Sequence, residues 1–395
     1  MSEAITLENG AIKAPSKVSI VKIVGDGVGP EIWRASQAAL EQAAKLEGRE
    51  IVWREFLAGE AAFKETGSPL PAETLAALKS CRVGLKGPLG TPIGGGLRSL
   101  NVAIRQALDL YACVRPIKPM PFVPSPVKDP SSLDILLFRE NTEDVYAGLE
   151  WSAQSPEAKK LIAFLREELG VKIDSDAALG LKPMTKNGSQ KLIRAALLWA
   201  LKEKRPSLTL VHKGNIMKYT EGAFRQWGYD LAAEEFGEQT LPESKLDPNR
   251  PNARLIIKDC LADNMFMQVL TRPGDFSVVA TPNLNGDYLS DALAAQIGGL
   301  GVAPGANLGD GIGVFEATHG TVPKRAGLDM VNPSSLLLSG ALMFDWLGWA
   351  SSAQRLRAAI AQTVADRILT YDLARQANLK PVSCSDFGAA VLARL

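Results

Sequence analysis

Ser99, Asn101 and Arg105 fall within Arg98-Ser99-Leu100-Asn101-Val102-Ala103-Ile104-Arg105, and Arg115 follows shortly after. Leu100, Ala103, Ile104, Ala107, Leu108 and Tyr111 repeat at helical spacing, which predicts an amphipathic helix with these residues toward the core. Asn101 and Arg105 then lie one turn apart on the other face, with Ser99 at the helix entrance. Gly94, Gly95 and Gly96 precede them and let the backbone approach something small. A hydroxyl, an amide and a guanidinium at a helix N-terminus make a receptor for an anion with several carboxylates. Arg139 adds a further cation. Any one of these arginines alone reads as half of a structural ion pair. Three charges that need anionic partners, set beside Ser99 and Asn101, point instead to a di- or tricarboxylate site.

Three more constellations carry chemistry. In Asn283-Leu284-Asn285-Gly286-Asp287-Tyr288-Leu289-Ser290-Asp291, a helix beginning near Gly286 projects Asp287 and Asp291 from one face. Two carboxylates repel unless a hard divalent cation relieves them, which suits Mg²⁺ or Mn²⁺, and helix capping is the competing explanation. Asp263 is a third candidate that spacing alone does not assign. Tyr146 and Lys213 form an acid–base pair by type: a lysine ending a buried strand beside cations sheds its proton more readily, and a tyrosine can protonate an enolate. On pattern alone, a surface lysine and a hydrogen-bonded core tyrosine are the simpler readings. Last, His319, Gly320, Thr321, Val322 and Pro323 form a polar, glycine-bearing loop able to hold adenine and ribose. Lys324, Arg325 and Arg375 supply charge for an additional phosphate, with Asn332 and Tyr371 nearby. Taken singly, each of these also fits a surface basic patch.

The elements that must position these groups alternate. Val18–Val24 reads as a buried strand, residues 25–30 as a glycine turn, Glu31–Ala44 as a helix and Glu50–Phe56 as a strand. The turn's G-x-G-x-G spacing, followed by Pro30, departs from the dinucleotide-binding fingerprint and reads as a turn lining a cleft. Strands are expected at Leu133–Arg139, Leu208–His212, Leu255–Lys258 and Ser277–Thr281. Helices are expected at Ala158–Leu169, Ser189–Lys202, Pro333–Gly348 and Ala353–Arg367. Prolines crowding 116–130 predict an extended crossing between domains. This alternation indicates an α/β fold with a largely parallel sheet.

The chain's 395 residues allow two domains, and 44 basic against 43 acidic residues leave a net charge of +1. That balance argues against binding nucleic acid or an acidic membrane through bulk charge. No apolar run is long enough to span a bilayer, and Met1–Lys17 lacks a signal-type core. Cys81, Cys113, Cys260 and Cys384 lack metal or redox spacing, as expected of reduced thiols in a cytoplasmic protein.

Residues 25–31, 98–105, 139–146, 212–218, 283–291 and 316–324 occur in an order that closely resembles the bacterial-type, homodimeric NADP-dependent isocitrate dehydrogenases. The resemblance runs from about Lys17 to the C-terminus. The related isopropylmalate dehydrogenases lack the Ser-x-Asn pair seen at Ser99 and Asn101. It implies a three-layer α/β/α fold with a large domain of residues 1–110 and 298–395. A small domain of 111–143 and 186–297 and a clasp at 144–185 that embraces the partner subunit complete the implied architecture. It also implies conversion of isocitrate to 2-oxoglutarate and CO₂ with reduction of NADP⁺, a step of the tricarboxylic acid cycle. By the same resemblance Ser99, Asn101, Arg105, Arg115 and Arg139 hold substrate, and Tyr146 and Lys213 are catalytic, Lys213 entering the other subunit's site. Asp287 and Asp291 ligate metal with Asp263 from the neighbouring subunit. Residues 319–325, Asn332, Tyr371 and Arg375 match the cofactor segments. Two positions depart from the pattern: Arg325 replaces a usual tyrosine, and Gly90 replaces a threonine that often touches the cofactor. Lys324, Tyr371 and Arg375 keep NADP the expected cofactor over NAD. Related substrates such as isopropylmalate, homoisocitrate or tartrate, and a silent protein binding citrate-like ligands or RNA, are the alternatives.

Overall fold

Alternation of apolar side chains along the strands builds one long sheet with both faces covered. The protein is seen in a computed structural model that describes residues 5–8, 11–90, 99–247, 249 and 252–395. Gly94, Gly95, Gly96 and Arg98 lie outside the described residues. The strands are β1 (Thr6–Glu8), β2 (Ala11–Lys13), β3 (Lys17–Ile23), β4 (Glu50–Glu55), β5 (Val83–Lys86), β6 (Ala112–Ile117), β7 (Ile135–Glu140) and β8 (Glu150–Trp151). They continue with β9 (Leu179–Gly180), β10 (Ser207–His212), β11 (Thr240–Pro242), β12 (Leu255–Leu261), β13 (Val278–Thr281), β14 (Pro304–Gly309) and β15 (Ile312–Ala317).

Eleven of these strands form the sheet, in the order β11-β12-β10-β13-β7-β6-β14-β15-β5-β3-β4. The first five are mutually parallel, as are β15, β5, β3 and β4. Between these blocks β6 and β14 pair antiparallel with their neighbours and with each other. The expected parallel sheet therefore contains an antiparallel seam. Residues 112–281 supply every strand on one side of it, and residues 17–86 and 304–317 supply those on the other.

The side-chain period of two sorts neighbouring residues to opposite faces. Ile20, Leu85, Phe138, Leu210 and Phe315 join a core with the helices Gly29–Lys45, Lys186–Lys202, Glu221–Phe236, Ser334–Trp346, Ala350–Ala365 and Cys384–Leu392. On the other face Val21, Ile23 and Val314 meet the helices Ala72–Cys81 and Leu100–Ala107. There too, Ile135, Leu137, Val211 and Val279 meet Ala262–Thr271 and Asn283–Gln296. The result is the three-layer α/β/α arrangement. All four cysteines are free and buried, and no described helix is long and apolar enough to cross a membrane.

The helix expected to run through Tyr111 ends at Ala107, because Asp109 takes a left-handed conformation (φ 46°) and turns the chain into β6. Leu100, Ile104 and Leu108 are buried as the periodicity requires, but Ala107 is exposed and Tyr111 is only half-buried. Arg105 is buried as well, since its side of the helix faces β15 rather than water. In the turn after β3, Gly27 (φ 57°) passes so close to the 319–325 loop that an added Cβ would stand 2.0 Å from the Thr321 carbonyl oxygen. The Val28 N–H donates to that same oxygen at 3.0 Å. This glycine thus serves contact between chain segments.

Candidate active site

The basic cluster assembles at the seam. Arg105 comes from the helix Leu100–Ala107, Arg115 from β6, and Lys86 closes the otherwise apolar β5. All three surround Glu316 of β15: Lys86 Nζ lies 2.9 Å from Oε2, while Arg105 Nη2 and Arg115 Nη2 lie 3.1 Å and 3.7 Å from Oε1. Asn307 Nδ2 also donates to Oε1 at 2.9 Å. Burial alone would raise the Glu316 carboxyl, but the three cations outweigh it and hold the group well below the ordinary carboxylate range. Burial, opposed by Glu316, pushes Lys86 down. Three buried cations thus share one carboxylate, leaving an excess of positive charge. Arg105 Nε, Arg139 Nη2 and Asn101 Oδ1 are buried without hydrogen-bond partners among the described residues. Ser99 sits at the helix N-cap with its hydroxyl unused for capping. The two guanidinium N–H groups are unsatisfied donors beside excess positive charge, which suits an anion, while the Asn101 oxygen is an acceptor open to a hydroxyl or N–H. The sequence reading missed Lys86 and gave Glu316 no role. A lone lysine ending the run Val83-Gly84-Leu85 was the available signal.

Beside this cluster the helix Asn283–Gln296 starts at Asn283, directly after Pro282, and not near Gly286. Asp287 and Asp291 therefore lie beyond the first turn, where they cap nothing, and the capping explanation fails. Arg139 Nη1 donates to Asp287 Oδ1 at 2.5 Å, and its Nε donates to Asn283 Oδ1 at 2.9 Å. The same guanidinium stacks over the Tyr146 ring, 4.8 Å from its centre. Burial and then the Asp287 charge raise the Asp291 carboxyl, against the pull of Arg115 and Arg139. Burial also raises the Tyr146 phenol, with Asp287 adding to it. Two adjacent carboxylates, one of them held from easy ionisation by burial and by the other's charge, suit a divalent cation.

Lys213 and Asp263 pair with each other. Lys213 follows β10, Asp263 opens the helix after β12, and Lys213 Nζ donates to Asp263 Oδ1 at 2.6 Å. The expectation of a lysine beside cations is overturned: its neighbour is a carboxylate brought in by the adjacent strand. Among the described residues, no three His, Cys, Asp or Glu side chains converge as a metal set within one chain.

The 319–325 segment runs from the end of β15 to a short turn. His319 engages the Gly320 carbonyl through Nδ1 at 3.0 Å, while Nε2 is buried without a partner among the described residues. Burial lowers its pKa and favours the neutral ring. Val322 adopts φ 42° ahead of Pro323. The Arg325 guanidinium lies 3.9 Å from the centre of the Tyr371 ring, and Tyr371 opens the short helix that also carries Arg375. Lys324 and Arg375 are exposed. Asn332 is buried and donates to Asp372 Oδ2 at 3.1 Å. Gly90, which replaces the threonine, donates its N–H to Asp26 Oδ2 at 2.7 Å.

Comparison with known proteins sets the class of this seamed α/β/α sheet. Residues 19–391 match the isocitrate/isopropylmalate dehydrogenase family, and the chain belongs to it. The isocitrate dehydrogenase (NADP) of Archaeoglobus fulgidus is 50% identical over 100% of this chain and 96% of its own length. That of Staphylococcus epidermidis is 49% identical over 98% of this chain and 97% of its own. The crystal structure of isocitrate dehydrogenase from Methylococcus capsulatus superposes with a TM-score of 0.80 at 34% identity, covering 95% of this chain and 99% of that one.

Proposed function

We propose that the protein converts isocitrate to 2-oxoglutarate and CO₂ with reduction of NADP⁺, acting as a homodimer with shared active sites in the cytoplasm. The carrying observation is the trio of buried cations on a single carboxylate, with Arg105, Arg139 and Asn101 still unsatisfied, next to Asp287 and Asp291. Such a surplus accommodates a tricarboxylate and gives a neutral ligand no advantage. The pairing of Lys213 with Asp263 supports sharing, with both residues serving a second subunit. The seam fits a large domain of residues 1–110 and 298–395 beside a small one of 111–143 and 186–297. Residues 144–185, with the ribbon β8–β9 and exposed Phe164, Leu169 and Val171, fit a clasp on that subunit.

Asp287 and Asp291, with Asp263 from across the dimer, would hold Mg²⁺ or Mn²⁺. When bound, that ion supplies Lewis-acid stabilisation of charge on the substrate oxygen. The chain's own groups do the rest. Ser99, Asn101, Arg105, Arg115 and Arg139 bind and orient the carboxylates. Lys213, or a water linked to it, takes the hydroxyl proton, so that hydride leaves C2 for NADP⁺. After loss of CO₂, Tyr146, whose phenol keeps its proton through burial, delivers it to C3. Lys324, Arg325, Tyr371 and Arg375 would hold the extra phosphate of NADP⁺, and His319 to Pro323 and Asn332 would hold its adenosine. The test is reduction of NADP⁺ and of NAD⁺ with isocitrate, isopropylmalate and homoisocitrate in turn, at fixed Mn²⁺. Turnover of isocitrate with NADP⁺ is expected, and preference for another acid would overturn the reading.

A further inference from the structure

Glu221 opens the helix Glu221–Phe236, and its side chain is 1% exposed. Each of its oxygens is committed to a segment that carries chemistry. Oε2 accepts from the peptide N–H of Lys213 at 2.5 Å and from Asn285 Nδ2 at 2.8 Å. Oε1 lies 3.0 Å from Lys182 Nζ, which also pairs with the buried carboxylate of Asp144. Asp144 in turn accepts from the N–H groups of Val145 at 2.7 Å and Leu284 at 3.0 Å. One string of buried charge therefore joins the Lys213 turn, the first turn of the aspartate-bearing helix and the turn that carries Tyr146.

We propose that Glu221 is a positioning residue for Lys213, and that through Lys182 it sets the Lys213 turn in fixed relation to the Tyr146 turn. The inference rests on the role assigned to Lys213 above. The physical reason lies in where the carboxylate acts. It fixes the peptide of Lys213 itself, and so the direction in which the side chain leaves the backbone. A second brace holds the next peptide: Gly214 donates its N–H to His212 Nδ1 at 2.9 Å, and His212 Nε2 lies 3.1 Å from Asp259 Oδ2. The two segments also touch, since a Cβ added to Gly214 would stand 2.6 Å from Gly222 Cα. With one carboxylate gone the turn keeps its His212 brace and its packing, but loses the element that aims Lys213. Two buried carboxylates around one ammonium are a costly way to hold a fold that apolar packing could hold as well. Their expense is accounted for by geometry at the reacting groups.

Glu221→Gln keeps the volume and removes one acceptor and the charge. Misplacing a reacting group by about 1 Å costs up to about 100-fold in rate, so kcat with isocitrate should fall about 10- to 100-fold, with the KM for NADP⁺ changed less than about twofold. The decisive readout is non-additivity. Placed on Lys213→Met, the same substitution should lower the residual rate by less than about threefold. Should Glu221→Gln not accumulate as folded protein, Glu221→Asp, which keeps the charge but withdraws it by one methylene, is expected to show the same pattern. Equal losses in the wild-type and Lys213→Met backgrounds, or an unchanged kcat, would overturn the proposal. If Lys213→Met itself kept full activity, the role of Lys213 would fail instead, and the two failures are told apart in one set of four proteins.

Discussion

Replacing Glu316 by glutamine removes the one negative charge around which Lys86, Arg105 and Arg115 are packed. The amide preserves the volume and can still accept from Asn307, so the change is almost purely electrostatic. Lys86 is 2% exposed and each arginine 7%, so water cannot replace the lost partner. Breaking one member of a buried ionic group costs about 3–5 kcal/mol, a large share of the roughly 5–15 kcal/mol that holds a folded protein together. Equilibrium urea unfolding followed by tryptophan fluorescence should show a clear drop in midpoint near neutral pH. The pH dependence carries a definite sign. The Glu316 carboxyl is lowered from its ordinary value of 4.5 in the folded protein, so its stabilising effect is fully present above that value and is lost as pH falls toward the folded pKa. The gap between wild type and Glu316→Gln should therefore be widest near neutrality and close in acid. Isocitrate should raise the midpoint of the variant more than that of the wild type, because the bound anion restores negative charge beside the same cations. An unchanged midpoint near neutrality, or a gap that does not narrow in acid, would refute the reasoning.

Other substitutions divide the chemistry. Arg325→Ala should raise the KM for NADP⁺ about tenfold, the order of one charge-assisted contact, and leave that for NAD⁺ nearly unchanged; a parallel rise for both dinucleotides would contradict the placement of the extra phosphate. Lys213→Met should impair isocitrate oxidation, while Tyr146→Phe should spare reduction of added oxalosuccinate more than overall turnover. Equal loss of every partial reaction in both variants would remove that division. Ser99→Asp sets a negative charge at the mouth of the acid receptor and should raise the isocitrate KM sharply or abolish activity. An active Ser99→Asp enzyme would contradict the receptor's location.

Much of the fold was legible because the elements with clear apolar periodicity are those that pack. The strands at residues 17–23, 207–212 and 278–281 and the helices at 186–202 and 350–365 lie within a few residues of expectation. What local pattern could not supply was strand order. Lys213 reads as a lysine among cations until β12 is laid beside β10 and brings Asp263 to it. Glu316 has no visible role until β15 is laid beside β5 and sets it against Lys86. The helix after Ser99 was read too long because nothing in its periodicity announces the left-handed turn at Asp109. Glu221 gave no signal at all. Its importance lies in two peptide contacts and a lysine contributed by another element, none of which leaves a mark on residue spacing.

The seam has a mechanical corollary. β6 and β14 are stitched by only three residue pairs, Ala112↔Leu308, Cys113↔Asn307 and Val114↔Ala306. Slipping such a ladder by one position would turn every side chain to the wrong face, whereas strands yield readily to twist. A rotation of one block against the other would therefore turn about this short stitch. Arg115 rides one residue beyond it, so swinging the blocks together would carry a guanidinium across the cleft like the latch on a door.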